Sequence, residues 1–286
     1  MTYLGLTMRG AFIPLMRRRG WRAASTLSTQ TIAGEGLPPK KFNVGFLLFP
    51  GATLMDFAGA TEVFAFADNF SFQWIAPTLD PIQTSEFVSV LPTATFHEHN
   101  PVDVFFVPGG PAGGPRNSGN PGVIDVLNDP TYMDFVHSMT EKSRWSGSVC
   151  SGAFILAAAG AFDGCEVTTY WSFLETLKLF PKLSVDTTCY PRYLVDRERR
   201  RFSGGGVSSS IDLALELVRV LVGGKEGDHA SQSAQLRVQY APNPPFNAGD
   251  PSQPHISSEF VRQIRAAQEE TAIKPMREAV QSVLRK

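Results

Sequence analysis

Cysteine is scarce in this chain: Cys150, Cys165 and Cys189 are the three thiols in 286 residues. Three is too few, and odd, for a disulfide framework, so a reducing compartment is expected. Long hydrophobic runs are lacking too. The longest, around Cys150, falls short of the ~20 apolar residues a bilayer span needs and is rich in Gly and Ala, so no membrane partner is expected. Neither sign of charge is in excess: 26 Lys and Arg face 27 Asp and Glu, which gives no global reason to expect nucleic acid. The alternating DRERRR stretch reads as an exposed turn. Histidine is sparse as well. His97 and His99 lack a further His, Cys or Asp cluster and read as loop residues, so no metal is expected. The glycine loops have neither a Walker Lys nor a GxGxxG order, which excludes phosphate-loop and dinucleotide binding. Finally, no acid precedes Glu35, while Arg9, Arg17, Arg18, Arg19 and Arg22 do. Residues 1–38 therefore read either as a mitochondrial-type presequence or as a disordered extension outside the fold. The first reading predicts that a C-terminal fluorescent fusion co-localises with mitochondria; the second leaves the protein cytoplasmic.

From Phe42 onward the pattern is regular. NVGFLLF has the length and apolarity of a buried strand, and PGATLMD is a turn into a helix over DFAGATEVFAFA. Asp56 stands at that helix's start, where capping and catalysis are both open readings. FSFQWIAP is a second strand and PIQTSEFVSVLP a β-ribbon. VDVFFV runs as a central strand into PGGPAGG, whose Gly109 and Gly110 allow backbone to approach a ligand closely. PGVIDVLNDPTYMDFVHSMTEK supplies one or two helices, and Tyr170 and Trp171 precede an amphipathic helix within TTYWSFLETLKLFP. LSVDTTCYPRYLVDRERRRFSGGG suggests a strand pair, and GGGVSSSIDLALELVRVLVGG a glycine turn with a long helix after it. A further helix around DHASQSAQLRVQY leads to a proline-rich arm, and the last helix is interrupted near Pro275. Alternating strands and helices predict a mostly parallel α/β sheet, with ligands at the carboxyl ends of its strands.

The organising stretch is SRWSGSVCSGAFILAAAGAF. A short strand ends at Val149, a helix-forming run starts at Ala153, and small residues flank Cys150 between them. That is a strand-to-helix elbow presenting one side chain. Helix N–H groups ahead of the sulfur are expected to lower its pKa toward the nucleophilic thiolate. A small buried hydrophobe is the bland alternative.

LLFPGATLMDFAGATEVF, VFFVPGG, VCSGAFILAAAGAFDG, TTYWSFLE, FSGGGVSSSIDLALELV and YAPNPPFNAGDP together resemble the ThiJ/PfpI superfamily, related to class I glutamine amidotransferase domains. The resemblance covers about residues 42–255 and implies a flavodoxin-like or Rossmann-like three-layer α/β sandwich built around the cysteine elbow. It sets out a domain over 39–255, with 256–286 as a helical tail. Ser151 stands where proteolytic members carry His, and Tyr170 stands where the family usually has the His of TTHW. An acid in LMDFAG with a non-histidine after the cysteine is similar to the isocyanide (isonitrile) hydratases.

That resemblance implies a hydratase using Cys150 as nucleophile and Asp56 as acid and base. It makes Gly110 and Ser151 backbone donors, and Gly109, Tyr170 and Trp171 pocket walls. It implies a small-molecule substrate, no metal or organic cofactor, and a homodimer using the proline-rich arm and last helix; a monomer mass in light scattering would overturn the last point. A cofactor-independent glyoxalase or deglycase, and a redox-sensing or chaperone-like protein, are the rival expectations.

Overall fold

The computed structural model describes residues 41–113 and 122–285. The reading of residues 1–38 as presequence or extension lies outside them. In chain order the elements are β1 (Phe42–Leu47), α1 (Leu54–Ala65), β2 (Phe70–Ala76), β3 (Ile82–Gln83), β4 (Ser89–Val90), β5 (Ala94–Thr95) and β6 (Val104–Val107). Next come α2 (Val123–Asn128), α3 (Pro130–Lys142), β7 (Trp145–Val149), α4 (Gly152–Ala158), a 3-10 turn at Trp171–Phe173 and α5 (Leu174–Leu177). After these stand β8 (Tyr193–Asp196), β9 (Arg201–Gly204), α6 (Ser209–Val222), α7 (Gly224–Val238), α8 (Ser258–Gln268), a π-helical turn at Glu269–Ile273 and α9 (Lys274–Val283).

Local chemistry sets several boundaries. Asp129 caps α3 by accepting the Thr131 N–H at 2.8 Å, with Pro130 at the first helical position, where a missing N–H costs nothing. Ser257 caps α8 through the Phe260 N–H at 3.1 Å. Gly223, at φ 79°, ends α6. The amphipathic helix expected after Trp171 is a single turn, Leu174–Leu177, entered through the 3-10 turn. The break expected near Pro275 is the π-helical turn just before it; Pro275 itself sits in the first turn of α9.

Seven strands form the main sheet in the order β5-β2-β1-β6-β7-β9-β8, parallel except for β8 against β9. β3 and β4 pair separately as the expected ribbon. Chain direction across the sheet reverses between β1 and β6: β1 leads outward to β2, whereas β6 leads the other way to β7 and β9. Right-handed crossovers then require helices on both faces. Accordingly α1, α6 and α7 pack together as one group, and α2, α4, α5 and α9 as another. The carboxyl ends of β1 and β6, on either side of that reversal, are where ligands of such sheets bind.

The core is continuous across the strands. Trp74, Phe46, Phe106, Gly147, Phe202 and Val195 lie opposite one another in register. Phe46 and Phe106 meet at 5.1 Å between ring centroids, and Phe106 reaches Phe202 at 5.4 Å across the gap left by Gly147. A Cβ on Gly147 would lie 2.1 Å from the Phe202 carbonyl oxygen and 2.2 Å from its ring. Gly147→Ala is therefore expected to destabilise the protein by at least about 3 kcal/mol, as overpacking against backbone with no room to relax. A urea midpoint within error of the wild type would refute that packing.

α9 buries Met276 and Val280 against α2, α4 and α5. No helix among the described residues is long and apolar enough to cross a membrane.

Candidate functional site

Three loops meet at the carboxyl end of the sheet: 48–53 after β1, 108–111 after β6, and the elbow between β7 and α4. Gly109 and Gly110 knit them together. The Gly109 carbonyl accepts the Thr53 N–H at 2.9 Å, and the Gly109 N–H donates to Asp56 Oδ2 at 2.8 Å. Gly110 is bonded the same way on its other side: its N–H donates to Ser151 Oγ at 2.9 Å, and its carbonyl accepts the Ser151 hydroxyl at 2.6 Å. One dipeptide thus holds the Asp56 loop and the Cys150 elbow at fixed separation. Neither glycine has room for a side chain. A Cβ on Gly109 would lie 2.6 Å from Ser151 N and 2.8 Å from Cys150 Cβ, and one on Gly110 would lie 2.6 Å from the Gly51 carbonyl oxygen.

Cys150 is buried with φ at +56°, a left-handed conformation that costs a non-glycine residue roughly 1–2 kcal/mol. Bonds on both sides hold it there. Its N–H reaches the carbonyls of Gly204 and Gly205 at 3.1 and 2.8 Å, and its carbonyl accepts the Thr169 hydroxyl at 2.7 Å. Gly152, next but one, presses the start of α4 onto the end of β6; a Cβ there would lie 2.5 Å from the carbonyl oxygens of Val107 and Pro108. This is the elbow expected from the small residues, with the thiol buried beside Asp56, Ser151 and Val207.

Asp56 does not cap its helix. It is the third residue of α1, and Glu86, from the β3–β4 ribbon, accepts the Leu54 N–H at 3.0 Å instead. The Asp56 side chain is fully buried, with Oδ2 on Gly109 and Oδ1 without a hydrogen-bond partner among the described residues. Burial pushes its pKa up to about 8, against the lowering pull of the Gly109 N–H and with a further push from Glu86.

The thiol is not lowered in the resting chain as the elbow alone led us to expect. Burial raises its pKa, and the neighbouring Asp56 carboxylate adds to the rise. The Ser151 N–H, the Ser151 hydroxyl and the Val207 N–H act the other way. Desolvation outweighs the start of a seven-residue helix. Cys150 and Asp56 thus form a buried acid pair in which ionising either group hinders the other.

The structure therefore brings Asp56, Gly109, Gly110, Cys150 and Ser151 together. The Gly110 N–H, expected as a free backbone donor, is engaged by Ser151 Oγ, while the Ser151 N–H faces the sulfur. Tyr170 and Trp171 follow directly on Thr169 and pack with each other, ring centroids 5.7 Å apart, under α8. Sequence reasoning missed Val207 and Thr169. The FSGGGV glycine run hinted at a turn near the first, and nothing local marked the second.

Cys165 is buried away from this cluster and Cys189 is exposed, its thiol on Asp186 Oδ2 at 3.2 Å.

Comparison with known proteins agrees with this architecture. Over 208 residues, spanning 73% of this chain and 82% of the relative, the sequence is 33% identical to an isonitrile hydratase of Pseudomonas putida. It is 28% identical over 200 residues to the HTH-type transcriptional regulator GbdR of Pseudomonas aeruginosa (strain UCBPP-PA14), covering 66% of this chain and half of that protein's length. The fold is similar to a crystal structure of a ThiJ/PfpI family protein from Pseudomonas syringae, with a TM-score of 0.72 and 26% identity over 89% of this chain and 99% of that one. With residues 43–220 matching the family itself, the chain belongs to the DJ-1/PfpI family.

Proposed function

We propose that the protein hydrates an isocyanide to an N-substituted formamide. One observation carries the reading: a fully buried carboxyl, Asp56, with one oxygen anchored on Gly109 and the other unpartnered, in the electrostatic reach of a buried cysteine on a strained elbow. Likeness to an isonitrile hydratase supports it, as does Ser151 after the nucleophile, where a Cys/His hydrolase would need an imidazole.

The steps balance as follows. The Asp56 carboxylate takes the thiol proton as the Cys150 sulfur bonds to the terminal isocyanide carbon, and it delivers that proton to the same carbon, leaving a thioimidate on the enzyme. Concerted transfer matters, because free thiolate and carboxylate oppose each other in this buried site. Water then adds to the thioimidate carbon while Asp56 relays one of its protons to nitrogen. Collapse breaks the carbon–sulfur bond and releases the formamide. The remaining hydroxyl proton returns through Asp56 to the sulfur, so one water is consumed and the pair is regenerated. The Ser151 and Val207 N–H groups stabilise the negative charge on sulfur as it develops and as it departs.

The test is formamide formation from cyclohexyl or p-nitrophenyl isocyanide by the purified protein. Turnover well above the uncatalysed rate is the expected result. No formamide, with rapid consumption of methylglyoxal instead, would replace the hydratase by a glyoxalase.

A further inference from the structure

The 205–207 turn follows β9, the strand beside β7 on the side away from β6, and reaches the nucleophile from there. Its Gly205 carbonyl accepts the Cys150 N–H, and its Val207 N–H faces the sulfur. The turn leads directly into α6, with the Ser209 N–H on the Gly206 carbonyl at 2.8 Å. What seats it is an aromatic ring. A Cβ on Gly206 would lie 2.9 Å from Tyr170 Cδ2 and 3.4 Å from Cε2, so the ring rests against this backbone and glycine is needed there.

The ring in turn is held from the C-terminal segment. Gln268, the last residue of α8, donates through Nε2 to the Tyr170 hydroxyl at 3.4 Å. One turn earlier, the Arg265 guanidinium lies over Trp171 at 5.6 Å. α8 buries no residue of its own. It is tied down through the π-helical turn, where Ile273 is buried and Glu269 pairs with Arg277 of α9 at 3.1 Å. Tyr170 is also fixed from behind, since its neighbour Thr169 bonds the Cys150 carbonyl. The elbow is thus gripped from two directions by consecutive residues.

We propose that Tyr170 and Gln268 are positioning residues for the nucleophile: α8, through Gln268, holds the Tyr170 ring on Gly206, and the ring fixes the turn whose Val207 N–H is aimed at the Cys150 sulfur. The proposal rests on Cys150 being the reacting thiol of the reading above, but it does not depend on which substrate that thiol attacks. Asp56 on α1 is the charged group facing the sulfur. The Gly109–Gly110 loop, the Ser151 elbow and the 205–207 turn present backbone and hydroxyl groups. A shift in thiol ionisation on changing Tyr170 or Gln268 therefore reports on donor placement and not on removal of a charge.

The experiment follows alkylation of Cys150 by iodoacetamide across pH, read by mass spectrometry on the peptide that contains it, so that Cys165 and Cys189 do not contribute. Tyr170→Ala is expected to move the midpoint of the Cys150 profile upward by about one pH unit, a roughly tenfold slower alkylation on the rising limb. Tyr170→Phe keeps the ring on Gly206 and loses only the bond to Gln268, so its midpoint should fall between those of wild type and Tyr170→Ala. Gln268→Leu should match Tyr170→Phe, and the Tyr170→Phe/Gln268→Leu pair should be no worse than either. Unchanged midpoints in correctly folded variants would overturn the proposal. So would a Gln268→Leu effect that adds in full to that of Tyr170→Phe. Should Tyr170→Ala fail to fold, the Phe and Leu variants decide alone. No isocyanide is used, so a failed hydratase assay leaves this result standing and a flat profile leaves the hydratase standing.

Discussion

Asp56→Asn is expected to raise the thermal midpoint and to abolish the proposed isocyanide turnover together, with the first effect growing with pH. In the folded chain the carboxyl titrates at about 8, in the unfolded chain near 3.8. Between those values the folded state holds a proton the unfolded state has lost, so stability falls as pH rises and levels off above 8. At about 1.4 kcal/mol per pH unit, this buried acid costs on the order of 5 kcal/mol by pH 8. Asn does not titrate and keeps a carbonyl for the Gly109 N–H. Its amide nitrogen, lacking a partner where Oδ1 now lies, takes back about 1–3 kcal/mol. A net rise in midpoint of about 5 °C at pH 8, shrinking toward pH 5, is the expected result by calorimetry. The wild-type kcat/KM should rise with pH toward about 8, since below it the carboxyl keeps the proton that would leave it free to accept the thiol's. A midpoint difference that stays flat with pH would show that Asp56 does not titrate in this range.

Cys150→Ala is expected to lose turnover by at least about a thousandfold, because the proposed route has no thioimidate without sulfur and leaves Asp56 nothing to deprotonate. Stability should hardly change. The hydrogen bonds that fix the elbow run from backbone N–H and carbonyl to Gly204, Gly205 and Thr169, and none of them uses the thiol. Loss of turnover with an unchanged midpoint separates chemistry from folding. Formamide formation at the wild-type rate would end the nucleophile assignment.

How far the sequence carried this picture depends on distance along the chain. The strand ending at Val149, the helix after Gly152 and the glycine loop after Val107 were legible because each is written in consecutive residues: an apolar run, a stretch of helix formers, two glycines. Asp56 was ambiguous for the opposite reason. An acid in the first turn of a helix looks the same whether it turns back to its own N–H groups or across to another loop. Only the Gly109 N–H, 53 residues later, decides it. That Glu86 supplies the cap is invisible in the same way. The thiol's electrostatics were misjudged because the helix start is local and desolvation is not. β5 escaped notice because two residues at a sheet edge carry no periodicity, and α5 came out shorter than its apolar pattern because a 3-10 turn takes up its beginning.

The left-handed backbone at Cys150 sets a conformational cost on carrying a thiol at that position. A thiol stands there against a conformational penalty that glycine or asparagine would relieve. A lineage that gave up the chemistry would gain stability from the first such change. Related sequences with Gly or Asn at this elbow, and with the carboxyl of the first loop also gone, should prove to be binding proteins rather than catalysts.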